Sequence, residues 1–117
     1  MAIAGLLLAA GSSRRFGGAK LLAPLPDGTP VGVRSARTLA GAVERALAVV
    51  RPDDTVLASL LAEQGLEVRA FAGAAEGMGA SLAFGVAAAP EADGWLVALA
   101  DMPWVRAETV RAVADLL

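Results

Sequence analysis

Residues 8–20 read LAAGSSRRFGGAK, with three cations, Arg14, Arg15 and Lys20, set in a glycine-rich bend directly after an aliphatic run. Much further along, Asp101 ends a second aliphatic run, GWLVALAD. A bend of small residues exposes backbone amides, and together with basic side chains these neutralise an anion. A carboxylate brought to the same place can hold a divalent cation. Cations plus one acid make a phosphate site with its metal, provided that the fold brings both segments to one crevice.

Two common phosphate loops fail on spacing. A P-loop needs Gly before its Lys and Ser or Thr after it, whereas Ala19 and Leu21 flank Lys20. The dinucleotide fingerprint G-x-G-x-x-G fails too, because no glycine stands between Gly11 and Gly17.

The composition narrows the chemistry further. The chain has no cysteine and no histidine, which removes disulfides, thiolate and imidazole catalysis, and the usual zinc ligands. A metal here would sit on carboxylate and phosphate oxygens, which favours Mg2+. A net charge of -2 gives no global attraction to nucleic acid or an anionic membrane, so anion binding must be local. The apolar start carries no preceding positive charge, unlike a secretory signal. The longest uncharged window, residues 77–90, falls short of the roughly 18 residues that span a bilayer. The expectation is a soluble, cytoplasmic, single domain over residues 1–117.

The elements that must position these groups follow from periodicity. Residues 3–10 and 94–101 are continuous apolar runs, the pattern of strands buried on both faces. Residues 46–50 predict another strand, and residues 66–71 an edge strand with charge on one side. Thr29 as N-cap and Pro30 at the first helical position predict a helix carrying Val33, Ala36, Leu39 and Ala40, closed by Gly41. Val56, Leu57, Leu60 and Leu61 predict a second helix, ended by Gly65. Gly73, Gly77 and Gly79 predict a loop before a helix over 81–89, and Val110, Val113, Ala114 and Leu117 a last amphipathic helix. Met78, Met102 and Trp104 are read as packing residues.

The order β-α-β-α-β-α-β-α calls for parallel strands with right-handed crossovers. The expected fold is α/β, a Rossmann-like doubly wound, mostly parallel sheet of order 3-2-1-4 in a three-layer α/β/α arrangement. Ligands bind such sheets beyond the carboxyl ends of the strands where the order reverses, here between the first and fourth strands. Gly11 and Asp101 both belong there. Backbone amides from Ala10 to Ser13 would approach the anion, Arg15 and Lys20 would neutralise it, and Asp101 would hold the metal. Arg14 reads more readily as a solvated surface cation.

The bend also resembles the nucleotidyltransferase pattern L-A-A-G-x-S-x-R-x-G-x-x-K, matched at Leu8, Ala9, Ala10, Gly11, Ser13, Arg15, Gly17 and Lys20. EGMGASLAFGV and LADMP resemble that family's G-M-G-x-S-L-x-x-G-V and L-x-D-x-P, in the same order. Together they resemble the molybdenum cofactor cytidylyltransferases, a group of MobA-like NTP transferases within the nucleotide-diphosphosugar transferase fold. The resemblance implies transfer of CMP from CTP to the phosphate of molybdopterin with release of pyrophosphate, dependent on Mg2+. It implies nucleotide contacts at Leu8, Ala9, Ala10, Gly11, Ser13, Arg15, Lys20, Gly79 and Ser81, although Ser81 could equally be a helix cap. GTP in place of CTP, or nucleotide binding without catalysis, stays open. LAAG rather than the guanylyl group's LAGG tilts the resemblance toward cytidine. The last helix ends on its apolar stripe at VADLL, and family members run longer. The expectation is the N-terminal portion of the fold, with self-association through the open side of the fourth strand.

Overall fold

The structure, a computed structural model, describes residues 3–10, 17–73, 77–102 and 106–115. Its strands are β1 (Ile3–Leu8), β2 (Arg45–Val50), β3 (Glu67–Ala70) and β4 (Gly94–Leu99). They form one sheet in the order β3-β2-β1-β4, and every pairing is parallel. Leu6 of β1 lies between Leu47 of β2 and Val97 of β4. The helices are α1 (Gly17–Leu22), α2 (Val31–Ala40), α3 (Thr55–Glu63), α4 (Met78–Ala87) and α5 (Ala107–Asp115).

Alternate side chains of the central strands serve two cores. Leu7, Ala46, Ala48 and Val50 pack with Leu21, Ala36, Leu39, Leu57 and Leu61, which come from α1, α2 and α3, with Val110 of α5 against them. On the other face Leu6, Leu8, Leu47 and Val49 meet Leu82 and Val86 of α4, together with Ala89. Each fully buried Leu or Val contributes roughly 1.5–3 kcal/mol. The layers come very close where α4 crosses β1, since a Cβ on Gly85 would stand 2.5 Å from Leu6 Cδ1. Outside β4 no further strand pairs among the described residues, and Val97 is 43% exposed.

Several boundaries differ from expectation. Thr29 does not cap α2, because residues 24–30 fold into a small hairpin with a Pro24–Pro30 bridge. Asp27 accepts from the Thr29 amide there, and Pro30 takes the N-cap position. Gly41 is right-handed at φ -74°, so α2 ends without a left-handed residue. Gly65 is left-handed at φ 93°. Its amide donates to Ala62 O and the Leu66 amide to Leu61 O, the pair of bonds that closes a Schellman end. Helix α4 begins at Met78, not Ser81, with Gly77 as N-cap at φ 116°. The glycine-rich stretch is thus helical from Met78 onward despite glycine's poor propensity, with Gly85 packed on Leu6 of β1. Strand β4 stops at Leu99, and Ala100 and Asp101 lie in a turn.

At the amino ends of the strands, Arg45 donates to both carboxylate oxygens of Glu67, at 2.6 and 3.1 Å, and also pairs with Glu91. No helix among the described residues is long and apolar enough to cross a membrane.

Candidate active site

Because β1, β2 and β4 are parallel, the segments after Leu8, Val50 and Leu99 all leave from one rim of the sheet. Two hydrogen bonds extend the strand pairing past the strand ends. The Ala9 amide donates to Val49 O at 2.9 Å, and the Ala100 amide to Leu8 O at 3.1 Å. The start of the glycine-rich bend and the residue before Asp101 are therefore direct neighbours. This is the crevice that the strand reversal between β1 and β4 predicts.

Leu8, Ala9 and Ala10 are buried, so they contribute backbone and packing at the rim. Gly11, Ser13, Arg14, Arg15 and Trp104 lie outside the described residues. Lys20 sits in the last turn of α1 and is exposed, while its neighbour Leu21 is buried and anchors the helix. A buried residue beside a cation fixes where the cation's stem leaves the protein and lets its ammonium reach solvent. Asp101 is exposed in a turn closed by the Met102 amide on Leu99 O at 3.2 Å.

Gly79 and Ser81 lie in the first turn and a half of α4, on the segment that follows β3. Gly79 is exposed with open space around it, whereas Ser81 is 4% exposed and faces the protein interior. Ser81 is no helix cap, since that place belongs to Gly77 and the Ser81 amide makes the first helical bond to Gly77 O. Met78 and Met102 are 59% and 36% exposed, so the expected packing role does not describe them. Each stands on a segment following a strand's carboxyl end, where an apolar side chain is open to solvent.

Sequence reasoning missed two features of this rim. One is Ser35 of α2, buried, whose Oγ donates to the carbonyl of Ala100 at 2.8 Å. A serine on an otherwise apolar helix face was the available signal. The other is Asp54, after β2, where Oδ2 is buried with no hydrogen-bond partner. Burial, and then the charge of Asp53, push its carboxyl above the usual aspartate range, with Arg51 opposing them.

The rim offers oxygen donors that fit a hard divalent cation. No group of three or more carboxylates that could cage an ion occurs among the described residues. The exposed carboxylate of Asp101 is an oxygen donor that fits a divalent cation whose shell is completed by water and phosphate oxygens.

A sequence profile of the MobA-like NTP transferase domain matches residues 5–117. The chain belongs to that family. Solved structures with this fold include Rv0371c from Mycobacterium tuberculosis H37Rv, at 30% identity and a TM-score of 0.80 over 99% of this chain and 60% of that one. A manganese complex of Rv0371C aligns at 27% identity and a TM-score of 0.79, covering 99% of this chain and 59% of that chain. A nucleotidyl transferase from Methanothermobacter thermautotroptrophicus, Mth528, aligns at 27% identity with a TM-score of 0.81, covering 97% and 57%. The chain thus spans less than two thirds of the length of these solved relatives. No curated protein sequence matches it. The chain thus carries a MobA-like NTP transferase domain with the fold of solved nucleotidyltransferases.

Proposed function

We propose that this domain transfers CMP from CTP to the phosphate of molybdopterin, releasing pyrophosphate. The observation that supports it most is the tie between Leu8 and Ala100, which joins the strand end before the basic bend to the residue before Asp101. A phosphate oxygen of molybdopterin attacks the α-phosphorus of CTP, and the new P–O bond forms as the bond to pyrophosphate breaks. Such a substitution needs positioning and charge neutralisation more than covalent help. Arg15 and Lys20 bind the triphosphate and stabilise the charge that builds on departing pyrophosphate. The amides of Ala10, Gly11 and Ser13 approach the phosphates, and Leu8 and Ala9 hold that backbone in place. Gly79 and the Ser81 segment of α4 border the nucleotide. Asp101 would hold Mg2+, which when bound neutralises the triphosphate and orients it.

The test is pyrophosphate release by the purified chain with molybdopterin and Mg2+, using CTP and GTP in parallel. Release with CTP alone supports the proposal, and release with GTP alone assigns guanylyl transfer instead. CTP binding without release would identify a nucleotide-binding module. Self-association through the outer side of β4 belongs to the same proposal, and a sedimentation coefficient that does not change with concentration would count against it.

A further inference from the structure

The inward face of α2 consists of Gly32, Val33, Ser35, Ala36 and Leu39. Ser35 is the one hydroxyl on it, and only 5% of the residue is exposed. A buried hydroxyl is costly unless it is hydrogen-bonded. Serines in helices commonly return that bond to the carbonyl four residues back. Here the distance to Val31 O is 3.3 Å, and the distance to Ala100 O is 2.8 Å. A hydroxyl has one proton to donate, and the shorter contact takes it.

The bond therefore leaves the helix and ends on the residue before Asp101. Ala100 is held at both ends, through its amide on Leu8 O and its carbonyl on Ser35 Oγ. The peptide unit is planar, so its oxygen, the Asp101 nitrogen and the Asp101 Cα move together. Fixing Ala100 O fixes the direction in which Asp101 leaves the turn. Alanine at position 35 would be the better helix former; what the hydroxyl adds is a grip on that peptide.

We propose that Ser35 is a positioning residue that aims the Asp101 carboxylate at the divalent cation accompanying the nucleotide. The inference rests on the reading of Asp101 as the metal-holding acid. Groups that orient a metal ligand without touching the metal typically change its affinity by about 10–100-fold.

The test is Mn2+ binding to the CTP complex, followed by electron paramagnetic resonance, beside CTP affinity measured without metal and the far-ultraviolet circular dichroism spectrum. Ser35→Ala should weaken Mn2+ binding about 10-fold, while metal-free CTP affinity and the spectrum stay as in the wild type. Ser35→Thr keeps the donor and should recover most of the loss. If Ser35→Ala does not fold, Ser35→Cys carries the test, because a thiol keeps the size and weakens the donor. Unchanged Mn2+ affinity in the folded variant, or an equal loss of metal-free CTP affinity, would overturn the proposal. Asp101→Asn is the control that separates the two readings. If it leaves Mn2+ affinity intact, the metal role of Asp101 falls, and Ser35's role with it. If it abolishes binding while Ser35→Ala changes nothing, only the role of Ser35 falls.

Discussion

The amide of Ala100 donates to the carbonyl of Leu8 at 3.1 Å, although the two residues stand near opposite ends of the sequence. One bond thereby joins the segment that carries the cations to the segment that carries the acid. Lys20→Ala should weaken CTP binding by roughly tenfold or more, the scale of a lost charge-assisted hydrogen bond. Arg14→Ala should change it little. Calorimetric titration of both variants checks this, and equal effects would make Lys20 ordinary surface.

Gly85 has no room for a methyl group. Its Cβ would meet Leu6 Cδ1 at 2.5 Å and Cδ2 at 2.8 Å, and Leu6 is fully buried, so its side chain would have to shift within the core. Gly85→Ala should lower stability by about 1–3 kcal/mol through overpacking, despite alanine's better helix propensity. Urea unfolding measures the change, and the penalty should shrink in a Leu6→Ala background.

The Arg45 pairing holds the Glu67 carboxyl below the usual glutamate range, the hydrogen bond contributing most. A depressed folded pKa means that the native state binds fewer protons than the unfolded one through that window. The stability is present above the ordinary glutamate pKa and is lost as pH falls through the lower, folded value. The pair is well exposed, so the effect is small and weakened by salt. Glu67→Gln should flatten the acid limb of the stability profile, and the difference from wild type should shrink in 1 M salt.

Asp54 should behave in the opposite sense. Burial raises its folded pKa, so the native state holds its proton longer than the unfolded chain does. Stability is therefore given up as pH rises from the ordinary aspartate pKa, about 3.9, to the folded value. Asp54→Asn should remove that decline, gaining on the wild type as pH climbs toward neutral. Thermal melts across the acidic range would show it, and parallel curves for the two proteins would refute it.

The strands and their order were legible because apolar runs bounded by glycine, proline and charge leave few alternatives, and alternating burial then sets the faces. Two helical starts were not legible. Gly17 and Gly18 open α1, and Gly77 and Gly79 surround the start of α4, and glycine reads as loop unless tertiary packing is known. Val56 and Val113 stand on apolar stripes yet are exposed, and in α3 only Leu57 and Leu61 are buried. Lys20 and Asp101 could be proposed from type and spacing. Ser35 stood out only as a serine on an apolar helix face, and its partner, 65 residues away, carried no mark in the sequence.

The register of β1 against β4, with Ile3 opposite Gly94, bears on how the molecule is made. On a ribosome the lysine-bearing segment emerges early, yet one flank of the strand before it stays bare until residues 94–99 have been synthesised. Closing so long a loop is slow, and Ala100 reaches Leu8 only once it has closed. A nascent chain that stops before β4 therefore leaves Leu8 O without the amide that it accepts from in the folded protein.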